Sequence, residues 1–224
     1  GYSLFLSKFT VKKGKVLYLD CEMGWSILKQ RFSLMAKNLD VPDLYIQYVP
    51  TFDLMSSEGR QVLERWLTDI KPDLLVVDSL GNIHGLDENK GQDIRRITRC
   101  IDELRAKHGI AVLMSHHWKK KTRDQKSGGD MASGSYVLTA WCDHHVTLQG
   151  EAESVTVTNV KTRSGSRFAP FMVKLNTENL HFEYLASFEK IFNEDSLLKL
   201  FQRADVNGAG RVLLKDLIKI ASGR

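Results

Sequence analysis

DLLVVDSL, residues 73–80, is the stretch that decides the fold of this chain. Its four consecutive apolar residues end on a carboxylate, Asp78, and the hydroxyl of Ser79 follows at once. A short, continuous apolar run is typical of a strand buried on both faces of a parallel sheet. The sequence therefore predicts a central strand that delivers an acid to the edge of a sheet.

Two more apolar runs end in polar side chains. VLYLDCE at 16–22 ends in Glu22, and IAVLMSHH at 110–117 ends in His116 and His117. Because the carboxyl ends of parallel strands meet at one edge of a sheet, we expect these side chains and Asp78 to share a site. An acid at a strand end can also simply cap the next turn, so the prediction rests on the three strands together.

Helical patterns separate these strands. Apolar residues at spacings of three and four predict helices over residues 25–38, from 57 or 58 to 67, and over 91–107, and a further strand is predicted over 44–49. Such alternation predicts an α/β fold, a mainly parallel sheet flanked by helices.

The pattern changes after residue 126. A Gly/Ser-rich loop over 127–135 precedes four β-rich stretches at 144–148, 154–160, 171–175 and 181–185, which predict an antiparallel extension of the sheet. Helical spacing returns from residue 193. We expect a core over 1–187 and a small helical appendage over 188–224, which can be the start of a helix-turn-helix or winged-helix module.

Composition sets the class. The chain has 224 residues, a net charge of +5 and 42% hydrophobic residues, which is ordinary for a globular protein. It has no apolar run of about 18 residues and no signal pattern, so we expect no membrane partner and a cytoplasmic location. Its three cysteines, Cys21, Cys100 and Cys142, form no C-x-x-C pair and are predicted to be reduced core thiols.

Positive charge is concentrated in WKKKTRDQK at 118–126, which includes Lys119, Lys120, Lys121, Arg123 and Lys126. Such a run is often only a solvated loop, but it can also bind a polyanion. Its place directly after a strand that ends at the predicted site favours binding.

In order and spacing, these elements, followed by NVKTRSG at 159–165, resemble the RecA/DnaB-like ATPases, and within them the RepA-type hexameric helicases. The resemblance implies a RecA-like fold, ATP and Mg²⁺ as cofactors, and action on DNA in replication or repair. By position, Glu22 matches the residue that polarises the attacking water, and Asp78 matches the acid that holds magnesium, with Ser79 beside it. His116 and His117 match a polar sensor of the γ-phosphate, and strand alternation favours His117 as the one that faces the nucleotide.

The resemblance also implies an assembly. Lys161 and Arg163 match two cations that a neighbouring subunit inserts against the γ-phosphate, which implies a homo-oligomer, in this family a hexameric ring. Spacing of two on one strand would place both on one face. Alternating charges at a strand end are otherwise usually solvent-facing. The basic run matches the loops that hold single-stranded DNA in the ring channel.

The sequence departs from the family in three places. No G-x-x-x-x-G-K-[ST] occurs, and residues 1–13 resemble the segment after the P-loop helix, so we expect the phosphate cradle upstream. A RecA-fold module that binds DNA without hydrolysis is the alternative. Ser133 stands where relatives have an Arg. DVNGAGRVLLKD at 205–216 resembles an EF-hand loop, but Ala209 and Asp216 are poor replacements for its ligands, so we expect no calcium site.

Overall fold

The computed structural model describes residues 3–6, 8–37, 41, 43–117, 133–151 and 154–187. They form two units, one from the described residues of 1–142 with 178–180, and one from those of 143–177 and from 181 onward. The basic run at 118–126, the EF-hand-like stretch and the appendage predicted over 188–224 lie outside the described residues.

The first unit contains a hairpin and a parallel sheet. Strands β1 (Ser3–Phe5) and β2 (Phe9–Val11) pair antiparallel. The four parallel strands stand in the order β4-β3-β5-β6, with bounds of Val16–Asp20 for β3, Leu44–Tyr48 for β4, Leu74–Asp78 for β5 and Ala111–Met114 for β6. The strand predicted from residues 73–80 is therefore in the interior of the sheet, between β3 and β6, as its continuous apolar run requires.

Four helices accompany this sheet: α1 (Trp25–Met35), α2 (Ser57–Ile70), α3 (Gly91–His108) and α4 (Ser133–Trp141). A 3₁₀ turn, Leu80–Asn82, follows β5 directly. Ser56 caps α2, because its hydroxyl accepts a hydrogen bond from the Gly59 N–H at 2.9 Å. Gly109 ends α3 at a φ of 66°, a backbone conformation that glycine adopts without steric cost.

The core of this unit lies between the sheet and its helices. Leu17 and Leu19 of β3, and Ile94 and Ile97 of α3, have no solvent exposure. Helical spacing on α3 and alternation on β3 thus bury one apolar set against the other, and apolar burial of this kind stabilises the fold by about 25 cal/mol per Å².

Helix α4 corrects the sequence analysis, which placed residues 133–135 in a loop and predicted no helix after it. Ser133 begins α4, and a turn that contains Gly134 has low intrinsic helix propensity. Tertiary packing overrides that preference, because α4 packs against α3. The Trp141 indole N–H also donates to Asp102 Oδ2 of α3 at 2.8 Å.

The second unit is an antiparallel sheet in the order β10-β9-β8-β7. Its strands are β7 (His144–Glu151), β8 (Ser154–Thr162), β9 (Phe171–Leu175) and β10 (Phe182–Ser187). Val157, Phe171 and Val173 form its buried centre. The predicted α/β class, with a parallel sheet flanked by helices and an antiparallel C-terminal sheet, is confirmed. Within the described residues, no helix has the length and hydropathy needed to cross a membrane.

Candidate active site

The site is built where β3 and β5 end side by side. Their parallel register places Asp20 opposite Asp78, and the Cys21 N–H donates to the Asp78 carbonyl at 3.0 Å. The chain segments that carry Glu22 and Ser79 therefore leave the sheet together. The adjacency expected from three acid- and histidine-tipped strands begins with this pairing.

Asp20 turns the chain after β3. Its side chain is fully buried, and its Oδ1 accepts hydrogen bonds from the N–H groups of Glu22 at 3.0 Å and Met23 at 2.9 Å. Asp20 Oδ2 is buried without a hydrogen-bond partner among the described residues. The sequence analysis missed Asp20, although an Asp two residues before Glu22 is a recognisable signal for this kind of turn.

Glu22 is held by side chains from beyond β5. Its Oε2 accepts hydrogen bonds from Ser79 Oγ at 3.2 Å and Asn82 Nδ2 at 3.0 Å, and Asn82 Nδ2 also lies 3.1 Å from Ser79 Oγ. The Glu22 side chain is nevertheless 46% exposed. Its carboxylate is thus fixed in direction and still open to solvent on one side.

Asp78 accepts a hydrogen bond on each carboxylate oxygen. The Tyr18 hydroxyl donates to Oδ2, and the Ser115 hydroxyl donates to Oδ1 at 2.6 Å. Burial of Tyr18, followed by its hydrogen bond to Asp78, raises the pKa of the phenol well above its usual range. The peptide bond between Asp78 and Ser79 is cis.

Burial also affects the thiol beside this site. It raises the pKa of Cys21 to about 12, and the neighbouring charges of Asp20 and Asp78 act in the same direction. Cys21 is therefore an unreactive thiol at neutral pH, as the composition predicted.

The two histidines have different neighbours. His117 Nε2 lies 3.6 Å from Glu22 Oε2, and the side chain is 82% exposed. His116 Nδ1 instead lies 3.8 Å from Glu88 Oε1, and the buried His84 Nε2 lies 3.7 Å from the same oxygen. Burial lowers the pKa of His84, while the charge of Glu88 opposes that shift.

The reason given for choosing between the histidines was wrong. Strand β6 ends at Met114, so alternation along a strand does not reach residues 116 and 117. What brings His117 toward Glu22 is the course of the chain after β6. That course starts with a hydrogen bond from the Leu80 N–H to the Ser115 carbonyl at 2.9 Å.

Lys161 and Arg163 belong to the second unit. Lys161 lies in β8 opposite His145, whereas Arg163 follows the last residue of that strand. The Arg163 guanidinium forms an ion pair with the Asp143 carboxylate, with 2.8 Å between Nη1 and Oδ1. The argument that one strand places both cations on one face therefore does not extend to Arg163.

The side chains at the ends of β3 and β5 fit magnesium. Carboxylates and a hydroxyl, from Glu22, Asp78 and Ser79, are the hard oxygen donors that this cation takes. In the part of the chain that the structure describes, no group of three or more His, Cys, Asp or Glu side chains is arranged to hold a metal ion. Mg²⁺ needs no such cage, since it usually binds through one or two carboxylates, waters and substrate phosphates.

A parallel sheet whose central strands end in these acids, with helices around it and an antiparallel sheet after it, defines a RecA-like α/β fold. A family model described as an AAA domain matches residues 1–123, more than half of the chain. The chain therefore belongs to the AAA domain family, within the RecA/DnaB-like P-loop ATPase superfamily.

The comparison with solved structures agrees on the fold. The solved ATPase domain of a helicase superposes with a TM-score of 0.59 at 14% identity, over 77% of this chain and 75% of that chain. The search for similar curated proteins found no match. The superfamily predicted from the order of the strand motifs is thus confirmed, while the roles of individual residues stay predictions.

Proposed function

We propose that this chain is the ATPase core of a RepA-type, DnaB-like DNA helicase or remodeller that works as a homo-oligomeric ring on single-stranded DNA in replication or repair. The observation that carries the proposal is the position of the Glu22 carboxylate. It is held by Ser79 and Asn82 at the strand ends where Asp78 also lies. A base beside a metal-binding acid is what hydrolysis of a nucleoside triphosphate requires.

Glu22 is the general base in this proposal. Its Oε2 carries the hydrogen bonds from Ser79 and Asn82, and its Oε1 has no partner among the described residues. Oε1 can therefore orient a water molecule and accept its proton as the water attacks the γ-phosphorus and the bond to ADP breaks. Orientation of the water is the main contribution that a side chain makes to this reaction.

Asp78 is the residue that would hold Mg²⁺, with Ser79 next to it. When bound, the cation neutralises the negative charge that develops on the phosphate oxygens. Tyr18 and Ser115 keep the Asp78 carboxylate in place. Hydrogen bonds to the far side of a metal ligand generally fix its orientation.

His117 is proposed as the sensor of the γ-phosphate, because it is exposed and lies beside Glu22. His116 is assigned the neighbouring nucleotide contact and the link to Glu88. Lys161 and Arg163 are proposed to complete the site of an adjacent subunit, for which Arg163 must exchange Asp143 for a phosphate. Lys119, Lys120, Lys121, Arg123 and Lys126 are proposed to bind the DNA backbone.

ATP binding also requires a cradle for the β- and γ-phosphates. Strand β6 pairs only with β5 among the described strands, and Leu113 on it is 58% exposed. The sheet can therefore accept a further parallel strand at this edge, and a strand there would also cover Leu113. This supports the proposal that a phosphate-binding strand and loop complete the site beside the residues that follow β6.

The alternative is a RecA-fold module that binds DNA without hydrolysis, which the lack of a G-x-x-x-x-G-K-[ST] motif in the printed sequence favours. ATP turnover by the complete gene product, measured with and without single-stranded DNA, separates the two. The proposal predicts Mg²⁺-dependent turnover that single-stranded DNA stimulates. DNA binding with no turnover under either condition would establish the alternative.

A further inference from the structure

We propose that Tyr18 is a positioning residue for Asp78, which fixes the carboxylate in the orientation that takes the metal ion, with Ser115 as its counterpart on the other carboxylate oxygen. The inference deepens the proposed function and rests on it. Nothing in the sequence pattern marks Tyr18 for this role, because it reads as one more residue of an apolar strand.

The contact arises from the register of two neighbouring strands. Tyr18 lies opposite Val76 in the parallel pairing of β3 with β5, two residues before Asp78. From there its long side chain reaches Asp78 Oδ2, while Ser115, just after β6, reaches Oδ1. Donors from the strands on both sides thus hold the acid at the end of the strand between them.

The phenol is itself held in place. The Tyr18 ring meets the Phe32 ring of α1 edge to face, with 5.3 Å between ring centroids and 81° between planes. This is a favourable arrangement for two aromatic rings. Because a tyrosine ring has only two side-chain torsions, packing of the ring fixes the hydroxyl. Tyr18 therefore connects helix α1 to the acid at the end of β5.

The hydroxyl is a lasting donor. The buried phenol beside Asp78 keeps its proton at any pH at which the protein is folded, since burial and Asp78 both raise the pKa of Tyr18. An ionised carboxylate has about four sites for hydrogen bonds or cations, so the two donors leave about two for a metal ion or its waters. The arrangement thus orients Asp78 without occupying it fully.

The test is the affinity for Mn²⁺, a spectroscopic substitute for Mg²⁺, in the complete gene product with the non-hydrolysable analogue AMP-PNP. Free Mn²⁺ is measured by electron paramagnetic resonance. We expect Tyr18→Phe to raise the Kd for Mn²⁺ by about tenfold or more, the usual effect of removing a hydrogen-bond partner of a metal ligand. We also expect the Mg²⁺ concentration for half-maximal ATP turnover to rise, with kcat recovered at saturating Mg²⁺.

The controls separate this inference from the proposed function. Tyr45→Phe removes a hydroxyl from the neighbouring strand β4, where the side chain is 37% exposed, and should leave the Kd unchanged. Asp78→Asn should weaken Mn²⁺ binding more than Tyr18→Phe does. An unchanged Kd in Tyr18→Phe with a weakened one in Asp78→Asn overturns the role of Tyr18 and leaves the proposed function intact.

If Asp78→Asn also binds Mn²⁺ normally, the metal role of Asp78 fails and the inference fails with it. Should Tyr18→Phe not fold, as judged by thermal melting, Phe32→Leu takes its place, because it keeps the hydroxyl and loosens the ring. A Kd raised several-fold in Phe32→Leu supports the inference, and an unchanged Kd contradicts it.

Discussion

Glu22 acquires its direction from three side chains that lie on different segments of the chain. Asp20 turns the backbone after β3, while Ser79 and Asn82 hold the Glu22 carboxylate from the far side of β5. A base held in this way is positioned before the substrate arrives, and such preorganisation accounts for much of the rate that enzymes achieve.

Asn82 offers a test at this scale. Asn82→Ala removes the 3.0 Å hydrogen bond to Glu22 Oε2 and leaves Ser79 as the remaining donor. We expect kcat for ATP hydrolysis to fall about 10- to 100-fold with little change in KM, since a misplaced catalytic group costs rate more than binding. Steady-state kinetics on the complete gene product would measure both.

Gln61→Ala is the matched control, because Gln61 is an exposed amide side chain on α2. It should leave both constants unchanged. A change in KM alone in Asn82→Ala would instead place Asn82 in nucleotide binding.

At the residue scale, sequence reasoning found the ends of strands and missed their supporting contacts. Glu22 and Asp78 were predicted because an acid after an apolar run is visible locally. Tyr18, Asn82 and Ser115 were not, since their contacts with Asp78 and Glu22 join residues 60, 60 and 37 positions apart. Contacts at such separation depend on the register of neighbouring strands, which no local pattern specifies.

The elements differ in how much of their stability is local. Strands β3, β5 and β6 and helices α2 and α3 were predicted because their apolar residues follow a clear period. Helix α4 was not, because it is short and begins with Ser133 and Gly134, and it depends on packing against α3. Strand β6 was predicted too long at its end, which led to the wrong argument about the histidines.

Leu17 and Leu113 test the burial that holds the sheet. Leu17, in β3, has no solvent exposure, so Leu17→Ala should lower the free energy of unfolding by about 2–5 kcal/mol. Leu113→Ala, in β6, makes the same chemical change at a residue that is 58% exposed, and it should cost less than about 1 kcal/mol. Urea denaturation followed by circular dichroism would measure both variants.

Equal losses in the two variants would show that Leu113 is covered in the protein in solution. That result would agree with a further strand beside β6 and would contradict an edge open to solvent.

At the scale of the whole molecule, the proposal concerns charge and assembly. The chain carries a net charge of +5, which suits a nucleic-acid partner, and residues 118–126 concentrate that charge. Neither the ring nor its DNA partner can be read from one chain. Both rest on the family resemblance and on Lys161 and Arg163, whose proposed target lies on another subunit.

Subunit mixing tests that assembly. Glu22→Gln and Arg163→Ala should each be inactive alone, because each removes one half of every shared site. Mixed in equal amounts, they should recover part of the ATP turnover, since some interfaces then combine an intact Glu22 with a neighbour's intact Arg163. Turnover that stays at the level of the single variants after subunit exchange, verified by mass measurement, would argue that Arg163 acts within its own chain or not at all.

The most direct measurement of the central claim is ATP binding and hydrolysis by Glu22→Gln in the complete gene product, with Glu58→Gln, a change at an exposed carboxylate on α2, as control. The account predicts that Glu22→Gln binds ATP with wild-type affinity and that its turnover falls at least about a hundredfold, because the amide cannot accept the proton of the attacking water. Glu58→Gln should behave as wild type. Hydrolysis by Glu22→Gln at the wild-type rate would contradict the account.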